Sequence, residues 1–355
     1  MTKLTKVMVL LVCISVALVV GFLVGFFVDK REKEPVTEEE ENIEITIRPL
    51  TVSEGVLKDN KGDTIVLRGM STHGLAWYPE YMNAGSIKTL KEQGANVIRL
   101  AMYSDAHLGY LQEEESNYNY LRMGIENALA MDMYAIVDWH ILEDSNPNDN
   151  KEKAIEFFEK ISSIYGNNHG IIYEICNEPN GDTTWEDVVE YASEVIPVIR
   201  KNAPDAIIIV GTPKHSTDLE SAMKAPLPYN NIMYSYHKYV DVSGETELEA
   251  YWLTVAVAQK FPVFVSEWGM AFGQESFLTD KEDIDLEKQW AEADLSNAKE
   301  FLEYLNEYNV SWCGWSLSNS DEIHSAINVD SEKISNWSKE DLTPGGKLMF
   351  EYFGK

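Results

Sequence analysis

The sequence predicts an α/β fold, a (β/α)8 TIM barrel. Apolar strand-like runs alternate with amphipathic helical stretches eight times within about 300 residues, the repeat of such a barrel. Several runs, such as AIIIVG at Ala206–Gly211, are apolar throughout, as parallel strands covered on both faces are. The rival doubly wound sheet needs a Gly-rich phosphate turn after its first strand; here that turn is Ser71-Thr72-His73-Gly74.

Taken in order, the barrel is expected over residues 47–355. VSEGVLKDNKGDTIVLRG comes first and reads as two short strands about an Asp-Asn-Lys-Gly-Asp turn, an N-terminal β-hairpin. The barrel strands follow at Val66–Ser71, Asn96–Met102, Tyr134–Trp139, Ile171–Cys176, Ala206–Gly211, Ile232–Tyr236, Val263–Ser266 and Ser311–Leu317. Helical patterns lie between them near Ser86–Gln93, Tyr118–Met131, Lys151–Tyr165, Trp185–Lys201, Thr217–Lys224, Glu247–Lys260 and Asp285–Tyr308, with a last one at Gly345–Tyr352.

Ahead of the barrel stand two other segments. Val7–Val28 is a run of 22 residues without a charge, and about 20 helical residues span a bilayer core. The run is longer than a secretory signal core and ends without an A-x-A pattern, which favours a transmembrane signal-anchor over a cleaved signal peptide for residues 1–28. Either reading exports the remainder, to the extracellular face of the membrane or into the medium. Residues 29–46 are acidic, poor in large apolar side chains, and read as a disordered tether.

Composition narrows the partners. The chain has 355 residues, 45% of them hydrophobic, enough for a large core. Its 59 acids against 29 bases give a net charge of −30. Such a surface is repelled by phosphate backbones and anionic head groups, which excludes a nucleic-acid partner and leaves neutral or cationic substrates. Three cysteines, Cys13, Cys176 and Cys313, make no disulfide scaffold and are expected as buried thiols.

In this barrel class chemistry sits where strands end at the C-terminal face. The predicted strand ends carry His73; Arg99 and Tyr103; Asp138-Trp139-His140; Asn177-Glu178-Pro179; His237 and Tyr239; Glu267-Trp268-Gly269; and Trp312 and Trp315. Any one of these alone could serve packing, an ion pair or a solvated loop. Seven strands delivering such side chains to one rim, where Val, Ile and Leu would suffice for packing, point to chemistry. Two glutamates on strands four and seven, across the barrel from each other, meet the requirement of glycosidic cleavage: one carboxyl to give a proton, one carboxylate to attack. Trp and Tyr offer flat faces for sugar rings. A metal hydrolase built on His73, His140 and His237 is the weaker reading, because no His-x-His pair and no Asp cluster accompany them. No metal or cofactor is expected.

The strings IRLAMY, DWHILEDSNPN, YEICNEPNG, VSEWG and GWSLS, in this order, resemble glycoside hydrolase family 5, retaining (β/α)8 enzymes. STHGLAWYP, GANVIRLAMY and VIPVIRKNAPDAIIIVGT are similar to its bacterial endo-β-1,4-glucanases, the cellulases. The likeness runs over about residues 50–318. It implies Glu178 as acid/base and Glu267 as nucleophile, with Asn177 on the sugar 2-OH. It implies Arg99 and Tyr239 holding Glu267 ionised and oriented, and His237 beside Glu178. It also implies His73 and His140 on sugar hydroxyls, Tyr103 in support, and Trp315 and Trp77 as stacking platforms. The reaction implied is double displacement with retention on a β-1,4-glucan by a monomer. Mannan, xylan or xyloglucan are alternative substrates, and a non-catalytic glycan-binding barrel is the alternative of another class. The sequence departs from the family where Asn319-Ser320-Asp321-Glu322 replaces an expected Lys, at Leu108, and at Val240-Asp241-Val242.

Overall fold

The computed structural model describes residues 47–240, 246–270 and 284–355, of which 246–250 and 284–294 are described as backbone only. The apolar run Val7–Val28 and the tether 29–46 lie outside the described residues. Among the described residues no helix is long and apolar enough to cross a membrane.

Three short strands open the described chain: β1 (Leu50–Ser53), β2 (Val56–Asp59) and β3 (Thr64–Ile65), an antiparallel sheet in the order β1-β2-β3. The expected hairpin is its β2–β3 half, and β1 is an addition. It joins β2 through the two-residue turn Glu54-Gly55, both with positive φ, +55° and +82°. That is the geometry of a tight hairpin turn, carried here by Glu-Gly rather than the usual Asn-Gly, so the sequence signal was weak.

Eight strands then close a barrel: β4 (Arg68–Thr72), β5 (Val97–Tyr103), β6 (Tyr134–His140), β7 (Ile171–Glu174), β8 (Ile208–Val210), β9 (Ile232–Val240), β10 (Val263–Met270) and β11 (Ser311–Leu317). Neighbours in this order pair in parallel, and β11 pairs with β4 to complete the circle. A helix follows each strand: α1 (Ala84–Glu92), α2 (Glu114–Ala130), α3 (Lys151–Tyr165), α4 (Trp185–Asn202), α5 (Leu219–Lys224), α6 (Thr246–Ala258), α7 (Ile284–Glu307) and α8 (Pro344–Tyr352). Their apolar faces and the outer faces of the strands form one continuous core.

Inside the barrel a second core runs from Ile47, Leu50 and Leu57 at the sheet to Val97, Ile136, Ile172, Met233, Phe264 and Cys313 on the strands. Side chains on a strand alternate faces, so the next inward position lies two residues on. Those positions are Arg99, Asp138, Glu174, Ser235, Ser266 and Trp315. The interior thus changes from apolar to polar within one layer, and the polar layer is the floor of the site. Cys176 and Cys313 are buried free thiols, and burial pushes both up.

Candidate active site

Arg99 organises the floor. It is fully buried on β5, where an unpaired cation would cost several kcal/mol. Nε donates to Glu174 Oε2 at 2.6 Å, one terminal nitrogen to Glu267 Oε2 at 3.1 Å and Ser71 Oγ at 3.2 Å, the other to Asn177 Oδ1 at 2.6 Å. The latter nitrogen also lies 3.0 Å from Asp138 Oδ2. One guanidinium therefore serves three carboxyl groups from three different strands.

Glu267, within β10, is held at both oxygens, by Arg99 and by the Tyr239 hydroxyl at 2.6 Å. Glu178 follows β7 on the opposite side, and among the described residues no guanidinium pairs with it. Its Oε1 faces His237 Nδ1 at 2.7 Å. Burial pushes Glu178 above the ordinary carboxylate range, against weaker downward pulls from His140, His215 and Arg99. Burial likewise pushes the His237 imidazole down to about 4 and His140 down to about 3, so both stay neutral near pH 7. It pushes Asp138 up to about 8 in spite of Arg99. Asp138 Oδ2 accepts from His140 Nδ1 at 2.6 Å, which leaves Nε2 as the acceptor facing the Asn177 amide at 3.2 Å.

Above this floor opens a cleft of about 410 Å3. Eight of the eleven expected site residues line it: His73, Trp77, Tyr103, His140, Glu178, Tyr239, Glu267 and Trp315. Arg99, Asn177 and His237 lie behind it, 0%, 1% and 2% exposed. Trp77 and Tyr103 form one wall with ring centroids 4.6 Å apart, and Trp315 stacks on His140 at 5.4 Å and 18°. Asp105, Glu143 and Glu322 join the two glutamates on the lining, and no Lys or Arg does among the described residues. Glu322, in the segment where an expected Lys is missing, bonds His73 Nε2 at 3.2 Å and His324 Nε2 at 3.1 Å.

Glu178, His237 and Glu267 offer ligand atoms within 4.8 Å of one another. An ion placed among them meets an imidazole already engaged on both sides, Nδ1 to Glu178 and Nε2 to Ser266 at 3.0 Å. His73 and His140 are committed to Glu322 and Asp138 instead.

Two carboxylates facing one cleft, one paired with Arg99 and one with a neutral imidazole, are the apparatus of sugar-bond cleavage. Residues 58–321 match the family model described as Cellulase (glycosyl hydrolase family 5). The chain belongs to glycosyl hydrolase family 5. It is 43% identical to Endoglucanase A of Butyrivibrio fibrisolvens over 91% of its own length and 73% of the relative's. It is 36% identical to an endoglucanase of Clostridium saccharobutylicum over 84% of this chain and 63% of that one. Among solved family 5 structures, the catalytic domain of an endoglucanase from Thermobifida fusca superposes with a TM-score of 0.74 at 30% identity, over 86% of this chain and 97% of that one. A variant of the same domain in complex with cellotetraose gives 0.72 at 29% identity, with the same coverage.

Two floor residues of this family 5 site, Glu174 and Ser266, escaped the sequence reading as functional positions, and Asp138 was named there at a strand end without a role. Glu174 carried the clearest signal. A carboxylate inside the otherwise apolar strand IIYE requires a buried cation.

Proposed function

We propose that this chain is a retaining endo-β-1,4-glucanase that cleaves internal bonds of cellulose or related β-glucans. The observation that carries the reading is the approach of Glu178 and Glu267, an oxygen of each within 4.8 Å of the other. Retaining enzymes need their carboxyl groups about 5–5.5 Å apart, whereas inverting ones leave about 6.5–9.5 Å for a water. In the first step Glu267 attacks the anomeric carbon while Glu178 passes its proton to the departing glycosidic oxygen. In the second, Glu178 takes a proton from water, whose oxygen displaces Glu267 and restores the original anomer.

Asn177 is placed to bind the sugar 2-OH. Arg99 claims its carbonyl, so its amide nitrogen must donate; Ile141 takes one hydrogen at 3.1 Å, and a hydroxyl reaches the other by replacing the 3.2 Å contact to His140. His73 and His140 meet hydroxyls of the ring at the cleavage point, and Trp315, Trp77 and Tyr103 supply its apolar walls. The acidic lining disfavours carboxylated chains, which makes a neutral glucan the substrate to try first. We infer also that Val7–Val28 holds the barrel at the outer membrane surface.

The test is reducing-sugar release from two neutral glucans, soluble mixed-linkage β-glucan and hydroxyethylcellulose, by the full chain and by Glu267→Gln. The expected outcome is activity that falls at least about 1,000-fold in the variant, with the β anomer formed first by proton NMR. An α anomer would overturn retention. A folded parent active only on mannan, xylan or xyloglucan would move the substrate, and one active on none would leave a glycan-binding barrel.

A further inference from the structure

Behind the cleft, a chain of hydrogen bonds runs from Glu178 to a carboxylate that no substrate can touch. Glu178 Oε1 meets His237 Nδ1 at 2.7 Å; His237 Nε2 meets Ser266 Oγ at 3.0 Å; Ser266 Oγ meets Glu174 Oε1 at 2.7 Å. Ser266 Oγ has a third neighbour, Ser235 Oγ, at 2.5 Å. Glu174 and both serines are fully buried.

We propose that Glu174 and Ser266 are positioning residues that fix the tautomer of His237 and thereby keep the proton on Glu178. The proposal rests on Glu178 being the acid/base, as argued above. A hydroxyl has one proton and two lone pairs. Glu174 is bound at Oε2 by the Arg99 guanidinium at 2.6 Å, which opposes the upward push of burial on its carboxyl, and its other oxygen, Oε1, accepts from Ser266 Oγ at 2.7 Å. The single Ser266 proton therefore goes to Glu174, and Ser235 and His237 must both donate to Ser266. A neutral His237 that donates through Nε2 has a bare lone pair on Nδ1. At 2.7 Å from Glu178, that lone pair accepts a hydrogen bond from the carboxylic acid and repels the carboxylate. The chain thus holds one proton at the Glu178–His237 contact in the resting enzyme. After that proton leaves with the glycosidic oxygen, the chain makes Glu178 a better base toward water.

Arg99 from β5, His140 from β6, Glu267 from β10 and His215 from the turn after β8 face the Glu178–His237 pair, as do Tyr103 and Tyr239. The guanidinium of Arg99 is turned to three other carboxyl groups, those of Asp138, Glu174 and Glu267. The upward push of burial on Glu178 acts in the same direction as the chain.

Glu174→Gln reverses the chain with little change in shape. The Arg99 Nε–H still needs an acceptor, so the amide oxygen stays there and the amide nitrogen donates to Ser266. Ser266 then turns its proton toward His237 Nε2, and His237 carries hydrogen on Nδ1, which stabilises ionised Glu178. Ser266→Ala releases the tautomer instead of reversing it.

The measurements are the pH profile of kcat/KM on β-glucan, kcat/KM on 2,4-dinitrophenyl β-cellobioside, which reads the glycosylation step alone, and nitrogen-15 NMR of the histidine rings in the full chain. The His237 signal is assigned by its loss in His237→Asn. The expected result is an Nε2–H tautomer in the parent and Nδ1–H in Glu174→Gln. The alkaline limb of that variant should move down by about one pH unit or more, with a loss of about 10–100-fold on β-glucan near pH 7. With the dinitrophenyl substrate, whose leaving group needs no proton, kcat/KM should change less than about threefold. An Nδ1–H tautomer in the parent overturns the proposal, and so does an unmoved alkaline limb in both variants. Equal losses on both substrates would mark a structural role and overturn it too. A parent inactive on either substrate fails the glucanase reading itself, and the ring spectra then decide the hydrogen-bond chain alone.

Discussion

Glu178 and Glu267 are the same side chain, and their neighbours divide the work. Glu267 receives a guanidinium and a phenol at its two oxygens. Glu178 receives a neutral imidazole and burial, which favour the acid form. The consequence for pH has a definite sign. The proton on Glu178 is present below its raised pKa and lost above it, so the rate falls as pH rises through a value higher than the ~4.3 of an ordinary Glu. The division of roles has its own test in azide rescue. Glu178→Ala keeps the nucleophile and loses the base that activates water. On 2,4-dinitrophenyl β-cellobioside it should accumulate the glycosyl-enzyme, and azide, which needs no base, should release it as the β-azide at least about 10-fold faster. Glu267→Gln should show no such product. Rescue of Glu267→Gln in place of Glu178→Ala would exchange the two roles.

At the level of the element, each strand carries apolar residues low in the barrel and polar ones above, and this ordering brings the floor together. Met233, Ser235 and His237 on β9 show the change within three inward positions. Such strands were legible in the sequence because a short, continuously apolar run between turn residues suits a strand covered on both faces. Their upper ends were not: β9 extends to Val240 and β10 to Met270, past the expected ends at Tyr236 and Ser266. The functional residues there break the apolar pattern that marks a strand. Glu174 and Ser266 were missed for a related reason, since their partners come from other strands and only the closed barrel brings them into reach. The closure itself depends on close approach at one seam. A Cβ added to Gly69 on β4 would lie 1.8 Å from the Val97 carbonyl oxygen on β5, a backbone atom that cannot yield without moving the strand. Gly69→Ala should therefore cost at least about 3 kcal/mol, read as a lowered urea midpoint. A midpoint within about 0.5 kcal/mol of the parent, the limit for innocuous changes, would mean that β4 and β5 can separate freely.

On the scale of the whole molecule, charge and the amino-terminal run act in opposite senses toward a membrane. A chain with 30 more acids than bases is repelled by anionic lipid. The described part has no apolar helix long enough to insert. The attachment expected from the sequence is therefore through Val7–Val28, hydrophobic rather than ionic. That distinction can be measured on membranes from cells expressing the full chain. High salt screens ionic contacts beyond about 3 Å at 1 M and leaves hydrophobic insertion untouched. The full chain should stay with the membrane pellet in about 1 M NaCl and move to the supernatant in detergent, while a chain starting at residue 47 should be absent from the pellet in both. Release of the full chain by salt would point to a peripheral contact on the barrel that its charge does not predict. Recovery of all activity from the medium, in a chain shortened near residue 28, would show that the run is cleaved and that the glucanase works at a distance from the cell.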